Sequence, residues 1–448
     1  MKVPRQDDTI VARATPPGRG GIAVIRVSGP GVGEIATSML GELPEPRRAE
    51  LRKFVDATGE PIDSGIALLF PAPHSFTGED VLELQGHGGT MVCDLLIERA
   101  IELGARIAEP GEFSRRAFLN DRMDLAQAEA IADLIDSGSR SAARAAQRSL
   151  RGDFSDAITD LNESVTQLRT HVEAAIDFPE EEIDFLQDAA LLERIIGVER
   201  QFRDLERVVR QGCLLRDGVT VVVAGRPNVG KSSLLNALAG YDAAIVTDVP
   251  GTTRDLVHEH LDLDGLPLHV VDTAGLRAWR DRVEEEGIRR ARAELRSADH
   301  ALIVLDANRA DHDLEALTAE LPDELSYTVV RNKIDLTGEP AGPVADGSIN
   351  VSALERDGIE ALRNHLKSVL GYEPPAEGAI TARRRHLESL ARARHHFDQA
   401  RQQLEKHAAG ELMAEELLQV QNALAEITGE FHNDDLLGRI FSSFCIGK

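Results

Sequence analysis

Apolar and polar positions change texture several times along the chain. From Thr9 to about Asn120, short β-branched runs such as Ile22 to Val27 and Gly65 to Phe70 alternate with Gly and Pro punctuation and brief helical patterns. That texture predicts a compact α+β domain. From Asp124 the apolar residues fall at helical spacing, as in Leu125, Ala128, Ile131, Ala132 and Ile135, with few breakers to Val172 and again from Leu191 to Val209. At Gly218 the pattern turns into the uninterrupted run Val219-Thr220-Val221-Val222-Val223-Ala224, and strand-helix alternation continues to about Leu370. A run apolar on both faces, followed by such alternation, predicts a buried parallel sheet. Beyond Tyr372-Glu373-Pro374-Pro375, which a helix does not cross, helical periodicity returns from Arg383 to Phe444.

These textures predict a multidomain α/β and α architecture. Residues 1–120 form an N-terminal α+β domain, 121–216 and 374–448 are two parts of one discontinuous helical domain, and 217–373 are a sheet domain inserted between them. With 448 residues the chain is too long for one core. Hydrophobic residues at 42% and aromatics at 4% fit a folded, helix-rich chain built on aliphatic side chains. The net charge of −26 excludes a protein that coats nucleic acid by itself, because phosphate binding relies on Lys and Arg displacing counterions, so any RNA contact is local or shared. Cys93, Cys213 and Cys445 are odd in number and widely spaced, and no basic segment followed by an apolar stretch opens the chain, which predicts a reducing cytoplasm. No apolar run approaches the ~18 residues that span a bilayer. The closing Cys445-Ile446-Gly447-Lys448 departs from a prenylation box at Gly447 and Lys448.

Chemistry concentrates in the predicted sheet domain. Gly225-Arg226-Pro227-Asn228-Val229-Gly230-Lys231-Ser232, continuing into Ser233, lies between a predicted strand and a predicted helix. There the glycines turn backbone N–H groups toward phosphates, Lys231 reaches the outer oxygens and Ser232 ligates Mg²⁺. Asp272-Thr273-Ala274-Gly275 closes the strand Leu268 to Val271 and can hold a Mg²⁺-bound water and sense the terminal phosphate. Asn332-Lys333-Ile334-Asp335 closes the strand Tyr327 to Val330, and its carboxylate can accept hydrogen bonds from guanine N1 and N2, which adenine lacks. Ser352-Ala353 follows the strand Ser348 to Val351 as a second base-contact loop. Four such motifs in order, each at the carboxyl end of a strand, identify a P-loop GTPase of Ras-like type.

Two local features leave alternatives open. Leu276 stands where Ras-like proteins place a water-orienting Gln, and the nearby Glu284-Glu285-Glu286 is either a source of a catalytic carboxylate or a solvated helix start. Asn228 is either a neutral oxygen ligand for a monovalent cation, together with carbonyls of Thr247-Asp248-Val249-Pro250-Gly251-Thr252-Thr253, or a residue that bonds its own loop.

Ala14-Thr15-Pro16-Pro17-Gly18-Arg19-Gly20-Gly21, Ser75-Phe76-Thr77-Gly78-Glu79-Asp80, Gly86-His87-Gly88-Gly89, Pro110-Gly111-Glu112-Phe113 and the terminal Phe444-Cys445-Ile446-Gly447-Lys448 surround the inserted G domain. In this combination the chain resembles the MnmE (TrmE) family of tRNA-modifying GTPases over essentially its whole length. The resemblance implies an enzyme that, with the FAD-dependent partner MnmG in a heterotetramer or larger complex, adds an aminomethyl-type group to carbon 5 of the wobble uridine of tRNA. It implies a homodimer through the N-terminal domains and a tetrahydrofolate derivative, in a 5-formyl or methylene form, contacted by Arg26, Glu83, Arg122 and Lys448. The family often has Lys in place of Arg122. It further implies K⁺ held by Asn228, Thr247, Val249 and Thr252, Mg²⁺ held by Ser232 and Thr253, and Glu284 as the water-orienting carboxylate. Hydrolysis in the family follows meeting of the G domains, with Arg254 and Arg277 as candidate interface residues. Pro250 replaces a common Ala and restricts Val249 to extended geometry.

Lysine usage adds an independent observation. Of seven lysines, three are Lys231, Lys333 and Lys448, in a chain that otherwise prefers Arg. Those positions select a compact ammonium over a planar fork. His87 either touches a ligand or bonds a turn, Cys445 is either a reactive thiol or packing, and Arg383-Arg384-Arg385-His386 is either a tRNA contact or a helix start. The rival functions are a GTP-controlled switch in ribosome assembly that modifies nothing, and a folate-dependent aminomethyltransferase with a regulatory G domain. The absence of a strand-linked Gly-x-Gly-x-x-Gly assigns flavin chemistry to a partner.

Overall fold

The computed structural model describes residues 8–177, 189–240, 258–272, 298–308, 314–319, 321–373, 378–407, 409–430 and 434–447. The chain divides into two compact units, Met1–Ala132 with Gln421–Lys448, and Asp133–Val420.

The first unit begins with β1 (Ile10–Arg13), β2 (Gly20–Ser28), α1 (Val32–Leu40), β3 (Glu50–Val55), β4 (Pro61–Phe70), β5 (Val81–Gly88), α2 (Thr90–Glu102), β6 (Arg106–Ile107) and α3 (Glu112–Leu119). The strands form a sheet in the order β3-β4-β5-β2-β1-β6, antiparallel except where β6 joins β1. Alternation along the strands sends Val11, Ala23, Ile25, Val27, Leu82 and Leu84 into one core with Ile35, Met39 and Leu96 of the two long helices. The opposite face carries Ile10, Ala12 and Phe113, with Phe76 packed on them. Burial of Arg116 is compensated by Glu79 and Glu112, and Glu112 also takes two hydrogen bonds from Arg106, at 2.8 and 2.6 Å.

Helices follow: α4 (Leu125–Asp136), α5 (Arg140–Arg151), α6 (Asp153–Asp177) and α7 (Ala189–Asp217). The helical pattern from Asp124 to Val172 is therefore broken twice. Ser139 caps α5 by accepting from Ala142 N at 3.0 Å, and Gly152, at φ +107°, ends it.

The second sheet is made by β7 (Val219–Ala224), then, after α8 (Lys231–Ala239), β8 (His258–Leu263), β9 (Leu266–Asp272), β10 (His300–Asp306), and, after α9 (Leu314–Thr318), β11 (Tyr327–Asn332), β12 (Gly342–Pro343) and β13 (Ile349–Val351), followed by α10 (Ile359–Val369). Its order is β12-β13-β11-β10-β7-β9-β8, parallel from β13 to β9 with antiparallel edges. The buried run Val221, Val223, Leu302, Val304 and Val330 packs with Leu234 of α8 and Leu362 of α10. The chain then forms α11 (Arg384–His407), α12 (Gly410–Thr428) and α13 (Asp434–Ser442). Within the second unit, α11 packs on α7, where the Phe202 and Phe397 ring centroids lie 5.4 Å apart.

The turn between β8 and β9 is tied to the N-cap of α5 by a hydrogen bond from Ser139 Oγ to Gly265 O at 3.0 Å, and the end of α10 to α7 by one from Gln211 Nε2 to Gly371 O at 2.7 Å. Among the described residues no helix is long and apolar enough to cross a membrane.

Candidate functional site

The phosphate loop of residues 225–230 turns directly from β7 into α8. Asn228 at φ +65° and Gly230 at φ +92° both take the left-handed conformation that curls the loop. A Cβ at Gly225 would lie 2.6 Å from Val304 O, and one at Gly230 would lie 2.4 Å from Asn332 Nδ2, so neither position accepts a side chain. Lys231 is 6% exposed and its Nζ donates to Gly225 O at 3.0 Å and Arg226 O at 3.2 Å, which centres the ammonium inside the loop. Ser232 and Ser233, in the first turn of α8, are exposed, as is Asn228, while Val229 is buried.

Asn332, which is buried, joins the loops. Its Nδ2 donates to Val229 O at 2.9 Å and its Oδ1 accepts from Ala353 N at 3.0 Å. Lys333, at φ +69°, donates from Nζ to Asn228 O at 2.7 Å and to Asp306 Oδ2 at 2.8 Å. The Lys333 hydrogen bond holds the Asp306 carboxyl below its ordinary range. Ser352 Oγ donates to Asp335 Oδ1 at 2.7 Å and accepts from Glu355 N at 3.2 Å, which fixes one carboxylate oxygen. The backbone register sets Asp272 beside Val223, at the carboxyl end of a strand adjacent to the phosphate loop. The structure thus brings together Asn228, Val229, Gly230, Lys231, Asn332, Lys333, Asp335, Ser352 and Ala353. Asp306 is an addition that sequence reasoning missed, because its partner Lys333 stands 27 positions away.

Thr247-Asp248-Val249-Pro250-Gly251-Thr252-Thr253, Thr273-Ala274-Gly275, Glu284, Arg254, Arg277 and Lys448 lie outside the described residues.

In the first unit, register pairs Arg26 with Glu83 across β2 and β5, and the side chains form an ion pair at 2.8 Å. The Arg26 guanidinium lies over the rings of Phe76 and Phe113, at 5.3 and 5.7 Å from their centroids. Both rings belong to strings singled out above, but their stacking on Arg26 depends on strand pairing that no string displays. Arg122 is exposed and its stem crosses Gly78, where a Cβ would come within 3.2 Å of its Cγ. The C-terminal segment packs on the same unit. Gly111 N donates to Cys445 O at 3.4 Å, and a Cβ on Gly447 would lie 2.3 Å from Arg13 O. Cys445 itself is exposed. Arg383, just before α11, is held by Asp133 at 2.7 Å, and His386 in the first turn of α11 is buried.

Comparison with known proteins bears on both halves. The family model for the N-terminus of the GTP-binding protein TrmE matches residues 9–122, and that for the MnmE helical domain matches residues 125–445. The chain is 56% identical to the tRNA modification GTPase MnmE of Pasteurella multocida over 98% of this chain and 100% of that protein. The chain belongs to the MnmE family. It is also 56% identical to the tRNA modification GTPase MnmE of Proteus mirabilis, over 98% of this chain and 99% of that one. The match extends over both the phosphate-loop sheet and the Arg26–Glu83 sheet, so membership covers both regions just described.

Proposed function

We propose that the chain hydrolyses GTP and couples the hydrolysis to modification of the wobble uridine of tRNA, adding an aminomethyl-type group at carbon 5 together with the FAD-dependent partner MnmG. The observation that carries the GTP half is Asn332, whose two hydrogen bonds hold the phosphate loop and the Ser352-Ala353 loop to the strand end bearing Asp335. In this reading backbone N–H groups of residues 228–233 and Lys231 bind the phosphates, and Asp335 accepts from the guanine N–H groups. Residues 247–253 and 272–275 complete the nucleotide site.

The exposed Ser232 at the first turn of α8 suits a hydroxyl ligand for Mg²⁺, with Thr253 as its companion. The exposed amide of Asn228 suits a neutral oxygen ligand for K⁺, with Thr247, Val249 and Thr252. When bound, the two cations supply positive charge against the negative charge that develops on the phosphates. Glu284 orients the attacking water. Arg26, Glu83, Arg122 and Lys448 bind a tetrahydrofolate derivative, a role supported by the charge pair and aromatic stacking at Arg26. Residues 1–120 form the folate-binding and dimerisation domain, 217–373 the G domain, and the flanking segments the helical domain of a cytoplasmic homodimer.

The test is GTP turnover at fixed ionic strength in KCl and in NaCl, followed by nucleoside analysis of tRNA incubated with the chain and MnmG. Turnover stimulated by K⁺ and reduced in Asn228→Ala, with modified wobble uridine formed only when both proteins are present, is the expected result. Equal rates in both salts would remove the K⁺ role. Turnover with no modified nucleoside would return the assembly-switch reading.

A further inference from the structure

The Gly86-His87-Gly88-Gly89 string holds a carboxylate-imidazole pair that the functions above do not use. Asp63, near the start of β4, folds its side chain over Gly86, where a Cβ would lie 2.4 Å from Asp63 Oδ2. The carboxylate is 9% exposed and accepts from His87 N at 2.7 Å, from Ser64 N at 2.8 Å and from His87 Nδ1 at 2.7 Å. The His87 ring is 74% exposed, and its Nε2 has no hydrogen-bond partner among the described residues. Burial raises the Asp63 pKa, but the His87 and Ser64 hydrogen bonds outweigh it and leave the group below its ordinary range. An ionised carboxylate only accepts, so Nδ1 carries the proton and the Nε2 lone pair is turned outward.

This arrangement is more than a turn contact. Two backbone N–H groups already satisfy most of the buried carboxylate, and the additional bond to Nδ1 orients a ring that packing leaves free. Its place is also informative. Gly88 is paired with Gly20, where β2 leaves the loop of residues 14–19, and Gly447 packs at the other end of that loop against Arg13 and Ala14. His87 lies four residues along β5 from Glu83, about 13 Å at the usual strand rise. Cys93 of α2 lies within the electrostatic reach of Asp63, and also of Asp94 and Arg13. Burial first, then Asp94 and Asp63, raises the Cys93 thiol against the opposing effect of Arg13.

We infer that His87, oriented by Asp63, is the proton acceptor for the amine nucleophile used in the modification. This rests on the proposed reading, because an aminomethyl-type product needs a nitrogen nucleophile and simple amines are protonated at neutral pH. The ammonium N–H bond breaks with its electron pair remaining on nitrogen, the proton bonds to His87 Nε2, Asp63 stabilises the imidazolium, and the proton then passes to water.

The experiment measures modification rate against pH for the wild-type chain with MnmG and tRNA, for His87→Gln and for Asp63→Asn. Thermal unfolding checks that the exposed-ring variant folds. The expected result for His87→Gln is a loss of about 100-fold or more near neutrality. That loss shrinks as pH rises and the amine deprotonates unaided, while Asp63→Asn, which keeps the ring but weakens its partner, loses less than His87→Gln. A wild-type rate and profile in His87→Gln, or a loss that alkaline pH leaves unchanged, overturns the inference. If the wild-type chain forms no modified nucleoside, the functional reading itself fails. The pair is still judged by the ring ¹⁵N NMR shifts of His87, which must place the proton on Nδ1 in the wild-type chain and lose that preference in Asp63→Ala.

Discussion

The phosphate-loop sheet and the N-terminal sheet build their sites by opposite means. At the phosphate loop the groups proposed to meet the phosphates are mostly backbone N–H groups gathered at the carboxyl ends of parallel strands, and side chains such as Asn332 and Lys333 bind the loops to one another. On the N-terminal sheet the proposed working groups are side chains, set opposite each other by antiparallel register, as in Arg26 with Glu83, or across a missing Cβ, as in Asp63 with His87. The phosphate loop has no room for a side chain at Gly225 or Gly230, and it depends besides on the few side chains that tie its loops together. A side-chain site depends on each partner and on the register between them.

Four outcomes would sharpen or break this contrast. The largest is expected for Asp335→Asn, which removes the acceptor proposed to face two guanine N–H groups, each such charge-assisted bond contributing about 1.5–3 kcal/mol. GTP affinity measured by calorimetry should fall about 100-fold or more, while xanthosine triphosphate, which offers an oxygen in place of the amine, should gain. Unchanged GTP affinity would mean that the Ser352-held carboxylate does not read the base.

Next in size is Asn332→Ala. It leaves Val229 O and Ala353 N without their partner, at a cost of about 1–3 kcal/mol for each group that stays buried. The expected outcome is weaker GTP binding together with lower protection from hydrogen exchange in β7 and β11, with β2 and β5 unaffected.

On the other sheet, Gly86→Ala puts a methyl group where the Asp63 carboxylate lies. Overpacking of this kind costs about 1–3 kcal/mol, and the change should lower the melting temperature and free the His87 ring in NMR spectra. Full retention of both would show that Asp63 has other room.

The smallest effect is the pH at which each region weakens. His300 is buried among Ser326 and Thr328, and burial, aided by His365, lowers its pKa from 6.5 to about 4. Between those values the unfolded chain binds the proton and the folded chain does not, so the second sheet loses stability as pH falls from about 6.5 toward 4. Glu112 behaves differently. Burial raises its pKa, but Arg106 and the Glu109 N–H more than offset this and leave it below 4.5, so its contribution is lost only as pH falls past that value. Hydrogen exchange at pH 7, 5.5 and 4 should therefore show the second sheet softening first on acidification.

The same contrast explains how much was legible in the sequence. The strand Val219–Ala224 and the strand ends at Asn332 and Ser352 are read from contiguous residues, and a phosphate loop needs only a few successive residues of the right backbone freedom. Asp306, which pairs with Lys333 from 27 positions away, shows none of this locally. Arg26 was expected from the family pattern, but its aromatic bed of Phe76 and Phe113 was not, since a stacking partner has no spacing signature. The basic string at Arg383 does open a helix, but its ion pair with Asp133, 250 positions earlier, has no local signal.

By itself the sequence determined where the phosphate loop, the loops at Asn332 and Ser352 and the helical stretches lie. Each is governed by periodicity, glycine freedom or capping within a few residues, and local physics suffices for those. Only the tertiary structure decided what those pieces touch. Asn332 reaches Val229 across 103 positions, Arg26 meets Glu83 across 57, and Asp63 holds His87 across 24. Contacts of that separation exist only after strands pair in one register, and register is set by the burial of whole faces rather than by any string of neighbours.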